Sequence, residues 1–508
     1  MEPHMRLPLA ILYLVLIVSA QKNRTFTFPQ GFLFGAGTSA YQTEGAHDVD
    51  GKGQSIWDTH THEHPDRIAD GSNGDDAAKS YYKYKEDIEA VKEMGMQIYR
   101  FSISWPRIMP LGLPNIINQK GIDHYNSVIN EVLSNNLIPM ATIYHWDLPQ
   151  HLQDLGGFAN DDIIIYYEAY AKVIFENFGD RVKWWCTINE PYYQAFGYEG
   201  TLFAPGLNST GIGGYLAAHN MIKAHARVYH LYEKQYRSKQ KGRISLNMPI
   251  DWPAPRDKTS TQDQEAAKIE LEFSLGWFAH PIYSKEGDYP QVMKDRISNF
   301  SLAAGFPFSR LPSFTSAEVE YIRGTADYFA LNQYGSKHVA KGEQGPDPSF
   351  DRDSGVVMTG NKKWPSSRTS KWETITPKGL RDIIAWIRKE YGEEWEILIT
   401  ENGFADGGQL NDTLRVGYLA TYMTDMLKAI YIDKCKVIGY IVWSLIDSFE
   451  WMSGYTSTFG LYQVDFKDPE RKRTPKQSAY FMANITKTRE IPSFYAIVTN
   501  KLDKLEGL

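Results

Sequence analysis

The sequence predicts an α/β fold, a single (β/α)8 TIM barrel with extended loops at its carboxyl-end face, and three observations carry that prediction. Short apolar runs alternate with longer amphipathic segments of 3.6-residue period, eight of each. The runs are near-continuously apolar, as expected of parallel strands covered on both faces. Neither linker nor low-complexity sequence divides the pairs, which favours one closed barrel over two doubly wound domains in a chain of 508 residues.

In chain order, the first strand is predicted at residues 32–40, followed by an amphipathic helix at 76–94. The second pair is 97–105 with 119–136, the third 138–146 with 163–178, and the fourth 182–189 with 215–237. The fifth joins 243–248 to 264–279, and the sixth joins 328–334 to 377–390. The seventh is 396–401 with 413–432 and the eighth 437–445 with 475–487. A long insert at 256–326 stretches the fifth and sixth units, and a polar Gly/Pro-rich stretch follows at 342–369. In a barrel such segments form the rim of the carboxyl-end face, so they are expected to carry leaving-group specificity.

Ahead of the barrel, Arg6, an apolar run at 7–18 and the small residues Ser19 and Ala20 read as a cleaved secretory signal over residues 1–20. The run is shorter than the roughly 20 residues that span a bilayer, and no later stretch reaches that length. The mature chain, a barrel over 21–492 and a tail over 493–508, is therefore expected to be secreted or vesicular, without a membrane anchor. Sequons at Asn23, Asn208, Asn299, Asn411 and Asn484 are candidate glycosylation sites. The two cysteines, Cys186 and Cys435, make no disulfide framework, and Cys186 lies in an apolar run as a core thiol would. A formal charge of -7, spread along the chain, offers no basic surface to nucleic acid and suits a neutral substrate. Aromatic residues are 14%, enough to stack on the apolar faces of sugars or to fill a large core.

The chemistry is carried by two carboxylates at strand ends, in Thr187-Ile188-Asn189-Glu190-Pro191 and Ile399-Thr400-Glu401-Asn402-Gly403. In a closed barrel the fourth and seventh strands face each other across the mouth, so Glu190 and Glu401 can converge on one sugar. Two carboxyls about 5 Å apart suit a retaining glycosidase, in which one attacks the anomeric carbon while the other protonates the leaving oxygen. Each Glu also stands beside an Asn able to hydrogen-bond a sugar hydroxyl.

Other patterns carry less. Gly35-Ala36-Gly37-Thr38-Ser39-Ala40 fits a loose dinucleotide fingerprint, but Tyr41-Gln42 is expected to continue the strand instead of opening a helix. His60, His62 and His64, with Glu63 and Asp66, are read as a solvated loop cluster, not a metal site. Asp147 and Asp447 are expected to orient neighbours.

Both Glu motifs belong to a larger set of long segments. These are Phe34-Gly35-Ala36 through Tyr41-Gln42 to Glu44-Gly45-Ala46, Tyr99 to Trp105, Tyr144-His145-Trp146-Asp147-Leu148-Pro149, and Trp443-Ser444-Leu445 to Phe449-Glu450-Trp451. With them the chain resembles glycoside hydrolase family 1, and within it insect β-glucosidases, from about residue 28 to 492. The resemblance implies a retaining β-glycosidase acting on terminal β-D-glucosides with no cofactor and no catalytic metal. It implies that Glu190 is the acid/base, Glu401 the nucleophile, and that Asn189 is aimed at the 2-hydroxyl. By the same resemblance Gln42, His145 and Trp451 bind the 3- and 4-hydroxyls, Glu450 the 4- and 6-hydroxyls, and Trp443 underlies the ring. Arg100 and Tyr334 match positions that hold the nucleophile's carboxylate. The Glu190 pKa is expected to be raised, largely by the charge of Glu401.

The leaving group is read at the rim, from Phe196, Lys337 and the substrate-binding Trp372. A thioglucosidase of the myrosinase type is the alternative. Insect thioglucosidases keep the acid/base Glu, but they resemble this chain with a Lys where Phe196 stands and an Arg where Lys337 stands. A catalytically silent sugar-binding or signalling relative is the third reading, opposed by the intact pair of Glu.

Overall fold

The computed structural model describes residues 27–370, 372–495 and 499. The expected signal segment, the Asn23 sequon and most of the tail lie outside these residues.

Eight parallel strands close on themselves in chain order: β1 Leu33–Gly37, β2 Ile98–Ser102, β3 Ile138–Tyr144, β4 Trp184–Asn189, β5 Arg243–Pro249, β6 Phe329–Asn332, β7 Ile397–Asn402 and β8 Val437–Trp443. β8 pairs with both β7 and β1, Trp443 lying opposite Gly37, and this last pairing completes the barrel. Below the mouth the interior is filled by Ile98, Met140, Cys186, Tyr328, Ala330, Leu398 and Ile441, all inaccessible to solvent. The barrel is therefore a packed core, open only at the carboxyl ends of its strands.

The outer layer is α1 Ser80–Glu93, α2 Gln119–Ser134, α3 Ile163–Phe178, α4 Gly213–Gln235, α5 Thr261–Leu271, α6 Pro377–Tyr391, α7 Thr413–Tyr431 and α8 Gln477–Thr488. α6 illustrates the local logic. Pro377 opens it where no donor is needed, Leu380, Ile383, Ile384 and Ile387 bury one stripe, and Gly392 follows its end.

Every expected strand and helix forms, but five strands stop short at the mouth. β1 ends at Gly37, β2 at Ser102, β3 at Tyr144, β6 at Asn332 and β8 at Trp443. The ladder gives way there to other partners: the Ala40 amide donates to Ser102 Oγ at 2.7 Å. Ala40–Thr43 coils into one helical turn, so Tyr41-Gln42 does not continue the strand as expected. Gly35 serves packing, since a Cβ there would sit 2.8 Å from Ile98. His60 and His62 lie on a helix, Ile56–Glu63, and not in a loop.

The insert divides between two tasks. α5 packs through Ala266 and Ala267 against a three-stranded sheet of Trp252–Pro255, Ser336–Lys341 and Val356–Thr359, which builds one wall of the mouth. The helices Gln291–Ala303 and Ser316–Ile322 extend the outer layer. Cys186 and Cys435 are both free and buried. Asn208, Asn299, Asn411 and Asn484 are exposed. Among the described residues no helix is long and apolar enough to cross a membrane.

Candidate active site

Glu401 is the penultimate residue of β7, where the register with β6 and β8 shifts. Such an irregularity re-aims the side chains that follow it. Arg100, wholly buried on β2, crosses the mouth and places Nη1 2.6 Å from Glu401 Oε1, while Tyr334 donates its hydroxyl to Oε2 at 2.7 Å. Both carboxylate oxygens thus face donors, one of them charged. The Tyr334 carbonyl is itself gripped by the hydroxyls of Tyr418 and Tyr422 on α7, at 2.6 and 2.8 Å. Gly403 explains the Asn-Gly step after the Glu: a Cβ there would meet the Trp443 carbonyl oxygen at 1.6 Å.

Glu190 follows β4 in a left-handed conformation with φ 46°, directly before the helix Pro191–Glu199. Its amide donates to Asn247 O at 3.0 Å, and Asn332 Nδ2 donates to its Oε1 at 3.0 Å. Burial, with the charge of Glu401 as the second cause, holds Glu190 well above the usual carboxylate range, against the pull of the Asn332 hydrogen bond. The expected ordering of causes is reversed, because Glu190 is only 7% exposed and the loss of its hydration outweighs the charge of Glu401.

Asn189 receives Arg100 Nη2 at 2.7 Å on Oδ1, so its amide NH2 faces His145 Nε2 at 3.1 Å. His145 then accepts at Nε2 and carries its proton on Nδ1. Burial first, and then Arg100, depress the His145 pKa well below its ordinary value, leaving a neutral ring. That ring lies near-parallel to Trp443 and Trp451, at 5.8 and 6.0 Å. Glu450 is pushed up to about 8 by burial and then by Glu401. Gln42 stands behind Glu450, donating to Phe449 O at 2.9 Å and to Glu450 Oε2 at 3.2 Å.

His145, Glu190, Tyr334, Trp372, Glu401, Trp443, Glu450 and Trp451 line a single cavity of about 300 Å³ at the barrel mouth. Two carboxyls in contrasting settings therefore flank one space with aromatic walls. Gln42, Arg100 and Asn189 are buried behind that lining and hold its members. Asn402, expected to offer a sugar contact, is engaged within the protein, donating to Gln333 O at 2.6 Å and Tyr418 at 2.8 Å and accepting from Tyr440.

The sequence reading missed Asn332, which ties Glu190 to the β7 end through Thr400 Oγ1, 2.6 Å from its Oδ1. A polar residue closing an apolar strand, as Asn189 closes β4, was the available signal. Asp447 accepts from Gly460 N at 2.9 Å and Lys476 Nζ at 2.8 Å, orienting the loop after β8. Among the described residues neither Asp147 oxygen has a hydrogen-bond partner within 3.5 Å, and burial, opposed by the nearby Ser104 hydroxyl, raises it to about 8. His62, Glu63 and Asp66 are exposed, as expected of a solvated cluster, with His62 meeting Asp75 at 2.8 Å, whereas His60 is buried against Leu202 O. Among the described residues no group of three or more His, Cys, Asp or Glu is gathered to hold a metal.

Lys337 at the rim forms an ion pair with Asp251 at 3.2 Å and lies 5.8 Å over the Trp372 ring. Phe196 packs on Tyr192 at 4.8 Å.

A family model described as glycosyl hydrolase family 1 matches residues 24–491. Myrosinase 1 of Brevicoryne brassicae is 45% identical over 463 residues, 91% of this chain and 99% of that protein. The human cytosolic beta-glucosidase is 44% identical over 466 residues, 90% of this chain and 97% of that protein. A solved structure of aphid myrosinase superposes with a TM-score of 0.88 at 45% identity, covering 91% of this chain and all of the other.

Proposed function

The chain belongs to glycosyl hydrolase family 1 and is a glycosidase, and from that premise we propose that it cleaves terminal β-D-glucosides of aryl, alkyl or short oligosaccharide aglycones, retaining the anomeric configuration. One observation carries the reading. Glu401 faces Arg100 and Tyr334 with both oxygens, while burial and the charge of Glu401 favour the protonated form of Glu190 across the same cavity.

In the first step Glu401 attacks the anomeric carbon, and the Glu190 proton passes to the glycosidic oxygen as the bond to the aglycone breaks. Forming the glycosyl ester removes the Glu401 charge, and with it one cause of the raised Glu190 pKa. Glu190 then takes a proton from water, whose oxygen attacks the same carbon and releases Glu401. Tyr334 hydrogen-bonds the nucleophile, and Asn189, from behind the lining, holds Arg100 and His145; these contacts accelerate the reaction to the extent that they strengthen as ring charge develops. His145, Trp443, Glu450 and Trp451 hold the glycone, with Gln42 fixing Glu450 and Trp372 meeting the aglycone.

A second reading, thioglucosidase activity, is favoured by the 45% identity to aphid myrosinase. The rim argues for O-glucosides, because Lys337, the one cation among the described residues lining the cavity, is matched by Asp251. The apolar segment at 7–18 supports secretion with cleavage after Ala20. Protein collected from the medium of expressing cells, beginning at Gln21, is expected to hydrolyse para-nitrophenyl β-glucoside at least about tenfold faster than sinigrin; this ratio corresponds to about 1.4 kcal/mol of discrimination. A rate on sinigrin equal to or above that on the aryl glucoside overturns the O-glucoside assignment, and an uncleaved or retained product overturns secretion.

A further inference from the structure

Beyond the Asp251–Lys337 pair the mouth opens into a second cavity of about 650 Å³, and the two share Tyr193, Phe203, Pro249, Ile250, Asp251 and Lys337 in their walls. A molecule whose sugar fills the inner cavity therefore extends its aglycone into the outer one. Three rings form one side of this outer space: Tyr192 and Phe196 at 4.8 Å, Phe196 and Phe350 at 5.4 Å, and Tyr192 and Phe350 at 5.8 Å between centroids.

Facing the same space are Glu270 on α5 and Asp351 on the short helix Phe350–Ser354. Glu270 is only 5% exposed, yet among the described residues its carboxyl has neither a hydrogen-bond nor an ion-pair partner. The Asp351 carboxyl likewise has no such partner among them. Buried carboxyls are ordinarily paired, so an unpaired one lining an open cavity marks the place of a missing donor. Burial and then the charge of Asp351 raise Glu270 to about 8, with Asp251 adding to the effect and Lys337 opposing it. Glu199, raised to about 7 by burial, lines the cavity as well. The only cation among the described lining residues is Lys337, already matched by Asp251. Aromatic faces beside unpaired carboxyls are the chemistry that recognises an organic ammonium group.

We infer that the outer cavity is an aglycone site selective for an aryl aglycone bearing a basic nitrogen, with Glu270 and Asp351 as its charge-recognising pair. The inference rests on the glycosidase reading above and names its substrate class.

The test compares the β-D-glucosides of tyramine, para-ethylphenol and para-hydroxyphenylpropionate, three leaving groups of similar reactivity that differ in distal charge. The kcat/KM for the tyramine glucoside is expected to exceed that for the carboxylate by about tenfold or more, with the ethyl compound between them. In Glu270→Gln and in Asp351→Asn that ratio is expected to fall toward one, and a ratio is unaffected by partial loss of folded enzyme. Equal rates in the wild type, or an undiminished ratio in both variants, overturn the inference. If the wild type cleaves none of the three, it is the glycosidase reading that fails. The cavity is then read by tryptophan fluorescence quenching with free tyramine against free para-hydroxyphenylpropionate, where tighter tyramine binding upholds the site and equal binding removes it.

Discussion

Glu190 and Glu401 are the same side chain in two settings, and their division of labour follows from what surrounds each. A carboxyl deprived of water and set across from an anion keeps its proton, whereas one facing an arginine and a tyrosine hydroxyl offers its oxygens to an electrophile. The raised Glu190 pKa has a definite sign in kinetics: the protonated, acid-competent form is present below it and is lost as pH rises through it. Glu190→Gln is therefore expected to abolish the alkaline limb of kcat/KM. It should spare the first step on dinitrophenyl β-glucoside while lowering it by about a hundredfold or more on phenyl β-glucoside, whose oxygen needs the proton. Equal losses on both substrates, measured by pre-steady-state release of the phenol, contradict the acid assignment. At this scale the two carboxylates and most of the side chains that the structure gathers around them were legible in sequence. Asn332 was passed over although it closes an apolar strand as Asn189 does, and Glu270 and Asp351 were not legible, because what singles them out is a partner lacking, which does not show in a residue's chain neighbours.

Strand ends decide how those side chains are presented. The register shifts beside Glu401, the left-handed Glu190 and the close approach of the β8 backbone to Gly403 all fall at the carboxyl ends of β4 and β7. Gly403→Ala must displace the Trp443 carbonyl or the Glu401 strand end. It is expected to cost about 1–3 kcal/mol in a denaturant melt and to lower kcat by more than the stability loss explains. An unchanged melt with unchanged kcat contradicts this account of the turn. Periodicity located all sixteen barrel elements but overran five strands, since apolar residues such as Tyr41 and Trp146 continue past the ladder into turns. The helix at Ile56–Glu63 has its own local signal in the Ser55–Asp58 capping box, which the dense run of histidines obscured.

Across the whole molecule, the closed barrel converts sequence separation into proximity: Arg100, Asn189, Glu190, Asn332 and Glu401 come from four strands or their ends and meet through bonds of 2.6 to 3.3 Å. No local segment contains the site, which is why its parts act only in the assembled barrel. The most direct test of the central claim, that Glu401 attacks the sugar while Glu190 handles the proton, is the product formed by Glu401→Gly from dinitrophenyl β-glucoside in the presence of azide. With the carboxylate gone, azide is expected to enter from its side of the ring, restoring turnover and yielding α-glucosyl azide by NMR. Full activity without azide, or the β-glucosyl azide as product, would contradict the assignment.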